Sequence, residues 1–428
     1  MGGSAQDTGE LSRSFMAAVG SRQTVAVLLP VRLAAEPPWT PGPFPFPVTD
    51  GVADTAARSR LFTPASARAL YGQRWHTRGA AERDGWRLDA MELLRTPSAR
   101  SPHRALAVLH FTVSGTPLLP ALRAISGRAG SAGADPLTGA LEPAALLSGV
   151  ASTDPPASPF APARPYTVAF LAPDAATGAA LRDDGPMGGE LPASADLLLR
   201  SLASRATPAD IPLPAERLAG LRSGAVRMSA DWSALVLRQG AAFLGHRPDT
   251  GPGDFYDHAA VGARGVHLDA ILLGTVQRDL IEELTDDLSE VFTGPGVTLT
   301  RRVGALERRI AVFRSAYWRQ HLDAHGPANE VLLAFQARHR LPERFAQILA
   351  EAADYARLAQ TQESQQIAAA LGLLTILGLP VSTALGILQV LGDTAPRDLV
   401  LALTAALATA GAALLTRYGR LVIGSLRG

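Results

Sequence analysis

Residues 367–391 read IAAALGLLTILGLPVSTALGILQVL, 25 residues without a formal charge. A helix needs about 20 apolar residues to cross the hydrocarbon core of a bilayer. Seven residues later comes a second uncharged run, 399–415, LVLALTAALATAGAALL, of 17 residues. That length is at the lower bound for a span, and residues 421–423 extend it if Arg417 and Arg420 snorkel. The expectation is a C-terminal two-helix transmembrane hairpin over 367–428. The alternative is a buried hairpin in a soluble protein.

Upstream of the first run, Leu341, Phe345, Ile348, Ala352, Tyr355 and Ala359 recur at 4-3 spacing, a short coiled-coil-like seam. Pro342 suits a first helical turn, where a missing N–H costs nothing. No breaker intervenes before Gly372, so residues 342–391 are expected as one helix about 75 Å long. Pro380 is expected to kink it. Before this helix, residues 268–291 repeat leucine or valine every fourth position and carry an acidic face of Asp279, Glu282, Glu283, Asp286, Asp287 and Glu290. A basic helix follows over 300–324, with Arg301, Arg302, Arg308, Arg309, Arg314 and Arg319, and a shorter one over 329–338.

The N-terminal part reads differently. Residues 24–31 (TVAVLLPV) form a short apolar run rich in β-branched residues, the mark of a buried strand. Strands are also expected over 86–94 and 105–113, paired antiparallel, and over 166–171, 225–230, 233–237 and 241–244. Helices are expected over 116–126 and 195–203. Six prolines within 33–47 make that stretch loop, and 127–165, rich in Gly, Ala, Ser and Pro, is a long surface loop or an insertion. The expected fold class is an α+β (or α/β) cytosolic domain followed by long helices and the hairpin. Its divisions are a flexible tail (1–23), the cytosolic domain (24–262), a helical stalk (263–366) and the hairpin (367–428).

Composition removes several function classes. Forty basic residues balance 39 acidic ones, so no net charge draws the chain to nucleic acid. Every basic residue is Arg, which excludes a Walker-type lysine and a Schiff base. The chain has no Cys, so it has no disulfide framework or thiol nucleophile. Residues 1–23 contain no apolar core of a secretory signal. Ser131 in AGSAG lacks the first Gly of a nucleophile elbow, and neither HExxH nor GxGxxG occurs; the expectation is not an enzyme. His321 and His325 have metal-ligand spacing without a third ligand and suit a helix C-terminus. Arg357, Arg417, Arg420 and Arg427 flank the outer ends of the hairpin. The positive-inside rule then places both termini in the cytoplasm, in a multi-pass plasma (inner) membrane protein.

This order of parts resembles the CorA-like metal-ion transporters. The resemblance covers about 266–428. It is closest in 374–387, LTILGLPVSTALGI, where Pro380 and Gly386 match a Pro and a Gly of the family's first membrane helix. The chain departs from the family where a Gly-Met-Asn signature closes that helix: Gln389, Val390 and Leu391 stand there. The resemblance implies a homo-oligomer, a pentamer around the first span, and a divalent cation such as magnesium as cargo. It also implies sensing of such cations by cytosolic carboxylates, for which the acidic face is the candidate; pairing with the basic helix is the alternative.

Thr375, Ser382 and Gln389 lie seven apart and share one helix face with Leu371, Gly378 and Gly386. Hydroxyls and amides there can replace part of an ion's hydration shell, with Leu371 as an apolar constriction. Tight helix packing uses the same small residues. Asp393 at the outer mouth would repeat around a ring and attract cations; as a helix-end residue it needs no such role. Asp398 suits the start of the second helix. A non-transporting membrane protein whose hairpin anchors and oligomerises a cytosolic ligand- or partner-binding domain fits the same pattern.

Overall fold

In the computed structural model the described residues are 13–47, 55–60, 62–127, 135–153, 165–182, 193–210, 224–291, 299–318, 326–391 and 396–415. Strand β1 (Gly20–Leu33) is apolar on both faces because both are covered. It pairs antiparallel with β6 on one side and with β8 on the other, and Val25, Val27 and Val31 are fully buried. Pro30 is tolerated because pairing with β8 ends at Leu28 and pairing with β7 begins at Val31, so no ladder bond needs its missing N–H on that side.

The remaining elements extend this sheet. The short β2 (Thr40–Pro41) is followed by helices α1 (Thr55–Arg60) and α2 (Pro64–Tyr71) and by β3 (Arg74–Arg78). Thr63 caps α2 by accepting from the Ser66 N–H. Strand β4 (Glu82–Arg83) turns into β5 (Trp86–Arg95) through Asp84-Gly85, both at positive φ, the backbone a two-residue hairpin requires. After β6 (Arg104–Val113) come α3 (Leu118–Ile125), α4 (Pro143–Leu146) and β7 (Ala151–Thr153). Strand β8 (Tyr166–Pro173) leads to α5 (Ala175–Arg182), α6 (Ala193–Ser204), and the meander β9 (Val226–Arg227), β10 (Trp232–Val236) and β11 (Gly240–Gly245).

Among the described residues the sheet has eleven strands in the order β2-β3-β5-β6-β1-β8-β11-β10-β9, with β4 on β5 and β7 on β1. All its pairs are antiparallel except β8 with β11. The class is therefore α+β with a mixed sheet. The expected strand pair 86–94 and 105–113 is β5 with β6. The stretch 127–165, expected as surface loop or insertion, contributes to the core where it is described: Leu141 and Leu147 are fully buried and β7 joins β1. Helices α3 and α6 and the strand faces of Val25, Val27, Leu109, Phe111 and Leu171 share one apolar cluster.

Helices make up the rest: α7 (Phe255–Arg264), α8 (Val266–Glu290), α9 (Leu299–Ala316), α10 (Pro327–His339), α11 (Leu341–Leu391) and α12 (Pro396–Leu415). The chain divides into two compact units, Met1–Glu283 with Val312–Arg344, and Leu284–Ala311 with Phe345–Gly428. In the first, α10 packs on β9 and β10. Residues from 266 onward, expected within a stalk, begin in this unit: His267 of α8 lies against Trp232 and Phe243 of the sheet. In the second, Phe345, Ile348, Ala352 and Ala359 of the seam are buried, as are Val303, Leu306 and Ile310 of α9.

Among the described residues the stretch long and apolar enough to cross a membrane is Phe255–Glu290, and 72% of its most apolar window is buried inside the protein. Gly378–Ile387 is a shorter apolar helical stretch. Helix α11 runs unbroken through Pro380.

The approach of α8 to α10 depends on Gly274. A Cβ added there would lie 2.4 Å from the Phe335 ring, itself fully buried. Gly274→Ala should destabilise the sheet-bearing unit by about 1–3 kcal/mol through overpacking. The gain of about 1 kcal/mol in helix propensity offsets only part of that. Urea unfolding followed by tryptophan fluorescence measures it, and an unchanged or raised midpoint would show that this contact is not tight.

Candidate functional site

The six residues expected along an ion path all lie on α11 and all are exposed: Leu371, Thr375, Gly378, Ser382, Gly386 and Gln389. At about 100° per residue they occupy an arc of about 80°. Among the described residues no atom beyond the adjacent helix backbone lies within 4 Å of a Cβ built at Gly378 or Gly386, so this face is open to close approach by another surface. Thr375 Oγ1 donates to the Leu371 carbonyl at 2.8 Å, and Ser382 Oγ to the Leu379 carbonyl at 3.0 Å. Each hydroxyl proton is thus spent inside the helix, leaving oxygen lone pairs directed outward as acceptors. Thr375, Ser382 and Gln389 then form three polar levels spread over about 21 Å of helix.

Several apolar residues within 367–390 of this helix are exposed as well. Ile367, Leu374 and Val390 are 55%, 70% and 88% exposed, and Leu379, Leu385 and Ile387 are also exposed. At about 100° per residue these side chains spread over more than half of the helix circumference rather than forming one narrow stripe. Val400, Leu401 and Leu407 of α12 are likewise exposed. Asp393, Ser131, His321, His325, Arg417, Arg420 and Arg427 lie outside the described residues.

The acidic face is not gathered into a ligand set. Asp279 is buried and pairs with Arg278 at 2.8 Å and Arg104 at 3.3 Å. Glu283 is also buried and accepts from the Ala99 N–H, whereas Glu282 is half exposed and 3.7 Å from Arg344. In the second unit Asp287 pairs with Arg309, and Arg302 donates to the Glu290 carbonyl, so the basic helix does meet this part of the acidic one. These two helices flank a cavity of about 270 Å³ lined by Asp287, Glu290, Arg302 and Arg309. Asp286 is exposed. Among the described residues no three His, Asp or Glu side chains are grouped to hold a metal.

Sequence reasoning missed a buried charge network in the sheet-bearing unit. Asp269, in the first turn of α8, accepts from Arg58 at 2.5 and 2.6 Å, from the Tyr71 hydroxyl at 2.6 Å and from Arg74 at 2.7 Å. Arg74 also donates to Glu92 at 2.5 Å, and Glu92 accepts from the Phe44 N–H and lies 3.3 Å from His110 Nε2. Asp269, Arg74, Glu92 and His110 are sealed from solvent. Nearby, Arg264 pairs with Asp89 at 2.5 Å and stands 4.1 Å over the Phe46 ring. The members are up to 211 positions apart, so no local pattern announces them.

Burial alone would raise the Asp269 and Glu92 pKa values. The Arg58 and Arg74 guanidiniums outweigh it at Asp269, and Arg74 with the His110 hydrogen bond does so at Glu92, so both stay ionised. Burial holds His110 down despite Glu92, so its imidazole is neutral at pH 7. Burial likewise raises the Tyr71 hydroxyl, which remains a donor. Its charges are paired, although Arg74 Nε and His110 Nδ1 are buried without a hydrogen-bond partner among the described residues. A buried network of paired ions sealed from solvent acts as a fastening: it pins α8 to β3, β5 and α2.

Comparison of the chain with protein-family models, with curated proteins and with solved structures gives no match.

Asp269→Asn should destabilise this unit by about 3–5 kcal/mol, because it leaves the Arg58 guanidinium without a counter-ion and Arg74 with Glu92 alone. The folded pKa of Asp269 is depressed, so the stability it contributes is complete above the ordinary carboxylate pKa and is lost as pH falls through the folded value. The variant should therefore lose less stability on acidification than the parent. Denaturant midpoints at pH 7 and pH 3 test both statements, and a loss under about 1 kcal/mol at pH 7 would contradict the fastening role.

Proposed function

We propose that the chain is a self-assembling membrane protein whose C-terminal helices form a two-span hairpin, with α11 lining a cation path in the manner of the CorA-like transporters it resembles. The observation that carries this reading is the uncharged segment 367–391, in which Leu371, Leu374, Leu379, Leu385, Ile387 and Val390 are exposed. Water does not tolerate so large an apolar surface, whereas lipid and neighbouring copies do. One arc of that surface holds the oxygen-bearing levels Thr375, Ser382 and Gln389 beside Gly378 and Gly386, while the Thr383 hydroxyl lies off this arc and donates to the Leu379 carbonyl. Copies arranged around an axis with this arc inward would bring rings of hydroxyl and amide oxygens together, the hard ligands that suit a divalent cation such as magnesium. Leu371 would form the apolar constriction at the inner end, and Asp393 an acidic ring at the outer mouth. A ring of five is the assembly the resemblance suggests, in the plasma membrane with both termini cytoplasmic.

A second reading is favoured by one feature. The Gly-Met-Asn signature is replaced by Gln389, Val390 and Leu391, and Val390 is the most exposed of the large apolar residues in α11. An apolar outer end suits a hairpin that anchors and oligomerises the sheet-bearing unit without conducting.

Reconstitution into liposomes separates the two. For a channel, the parent protein takes up Mg²⁺, and Gln389→Leu lowers uptake about tenfold or more while the oligomer's elution volume is unchanged. A parent that assembles but passes no cation contradicts the channel and supports the anchor.

A further inference from the structure

Positive charge gathers at the turn between α10 and α11, in the sheet-bearing unit. The local sequence is Arg338-His339-Arg340-Leu341-Pro342-Glu343-Arg344, and Arg338 and Arg340 are exposed. Arg340 adopts the left-handed conformation (φ 54°), which ends α10 and lets α11 begin at the next residue. Two arginines from distant parts of the chain join this turn. Arg238, between β10 and β11, donates through Nε to the Arg338 carbonyl at 3.1 Å. Arg278 of α8 lies one helical turn before Glu282, which stands 3.7 Å from Arg344.

The carboxylates present do not neutralise this group. Asp279 is shared by Arg278 and Arg104, Glu282 is half exposed and only loosely engaged by Arg344, and Glu343 is exposed. A helix C-terminus attracts cations, and that accounts for Arg238 on the last turn of α10. It does not account for Arg278 or for Arg344, which sits in the first turn of α11, where the helix end favours anions. At the centre is His339, its ring stacked 4.3 Å from Phe335. His339 Nε2 is buried and has no hydrogen-bond partner among the described residues. Burial, with the fields of Arg278, Arg238 and Arg344, lowers its pKa to about 4, so at neutral pH it adds no charge and can offer one N–H.

We infer that this turn binds a polyphosphate chain, free or as part of a nucleotide, through the guanidiniums of Arg238, Arg278 and Arg344 with His339 Nε2 as a further donor. Guanidinium forks match phosphate oxygens in pairs, and several of them around one turn suit a compact multivalent anion better than a single charge. The assignment does not depend on the membrane reading. It places the ligand at the base of α11, so occupancy would bear on the first turn of that helix.

The test is isothermal titration of the full chain in detergent with sodium triphosphate and, separately, with ATP. Saturable binding of one anion per chain is expected for at least one of them. The tighter of the two identifies whether the natural ligand is the free chain or a nucleotide. Arg238→Gln with Arg344→Gln should weaken binding about tenfold or more, as loss of charge-assisted hydrogen bonds does. Arg308→Gln, an exposed arginine on α9, should leave it unchanged. In the parent protein the His339 ring resonances should shift on titration, a readout that needs no variant. No saturable binding, an equal loss in Arg308→Gln, or tighter binding of polyglutamate than of either phosphate would overturn the assignment.

Discussion

Asp269 is a carboxylate with no water to solvate it, and the placement of α8 follows from that constraint. An unpaired charge at such a depth costs several kcal/mol, so the fold must bring donors to it. Arg58 and Tyr71 come from the segment before β3, and Arg74 from β3 itself. Arg74 then needs a second anion, which β5 supplies as Glu92, and Glu92 takes the Phe44 N–H from the proline-rich stretch after β1. Each charge is paired only when the next is in place. The network therefore sets the register between helix and sheet, where apolar packing alone would tolerate small slips.

A different constraint governs the other end of the chain. In α11 the seam residues Phe345, Ile348, Ala352 and Ala359 are buried and Tyr355 partly so, and beyond Ala369 the large apolar residues described are exposed except for Val381, which is half-buried. Seam and exposed segment belong to one continuous helix. A helix that is apolar on all sides has no stable place in water, and this demand for lipid or for other copies underlies the proposed function. The hydroxyls of Thr375 and Ser382 suit such a place, since their protons are already bonded within the helix and cost nothing further to bury.

Much of the architecture was legible in the sequence because it is written in short-range periodicity. The apolar run of β1, the alternation in β6 and the leucine repeat of α8 identified strands and helices to within a few residues. The seam at Leu341, Phe345, Ile348 and Ala352 marked residues that are buried. Elements without a strong local pattern were missed: β3 carries Arg74, Trp75 and His76, and α7 is a short helix with three buried positions. The Asp84-Gly85 hairpin was readable and overlooked. The charge network was not readable, because ion pairs between residues 58, 74, 92 and 269 are a property of the folded sheet. Nor does a leucine repeat say what it packs against, so α8 read as stalk although its first turns lie on the sheet. For the candidate path, the sequence supplied the arc and the structure its exposure and hydroxyl bonding.

Placement of the C-terminal helices in a membrane as a hairpin can be tested directly. The absence of cysteine makes single introduced thiols clean reporters. The decisive measurement is labelling of Thr394→Cys in intact cells with a membrane-impermeant maleimide, with Ser364→Cys as the inner-side control. The account predicts that Thr394→Cys is labelled from outside, that Ser364→Cys is labelled only after lysis, and that both proteins stay with the membrane through alkaline extraction. Recovery in the soluble fraction, or labelling of both positions only after lysis, would contradict it.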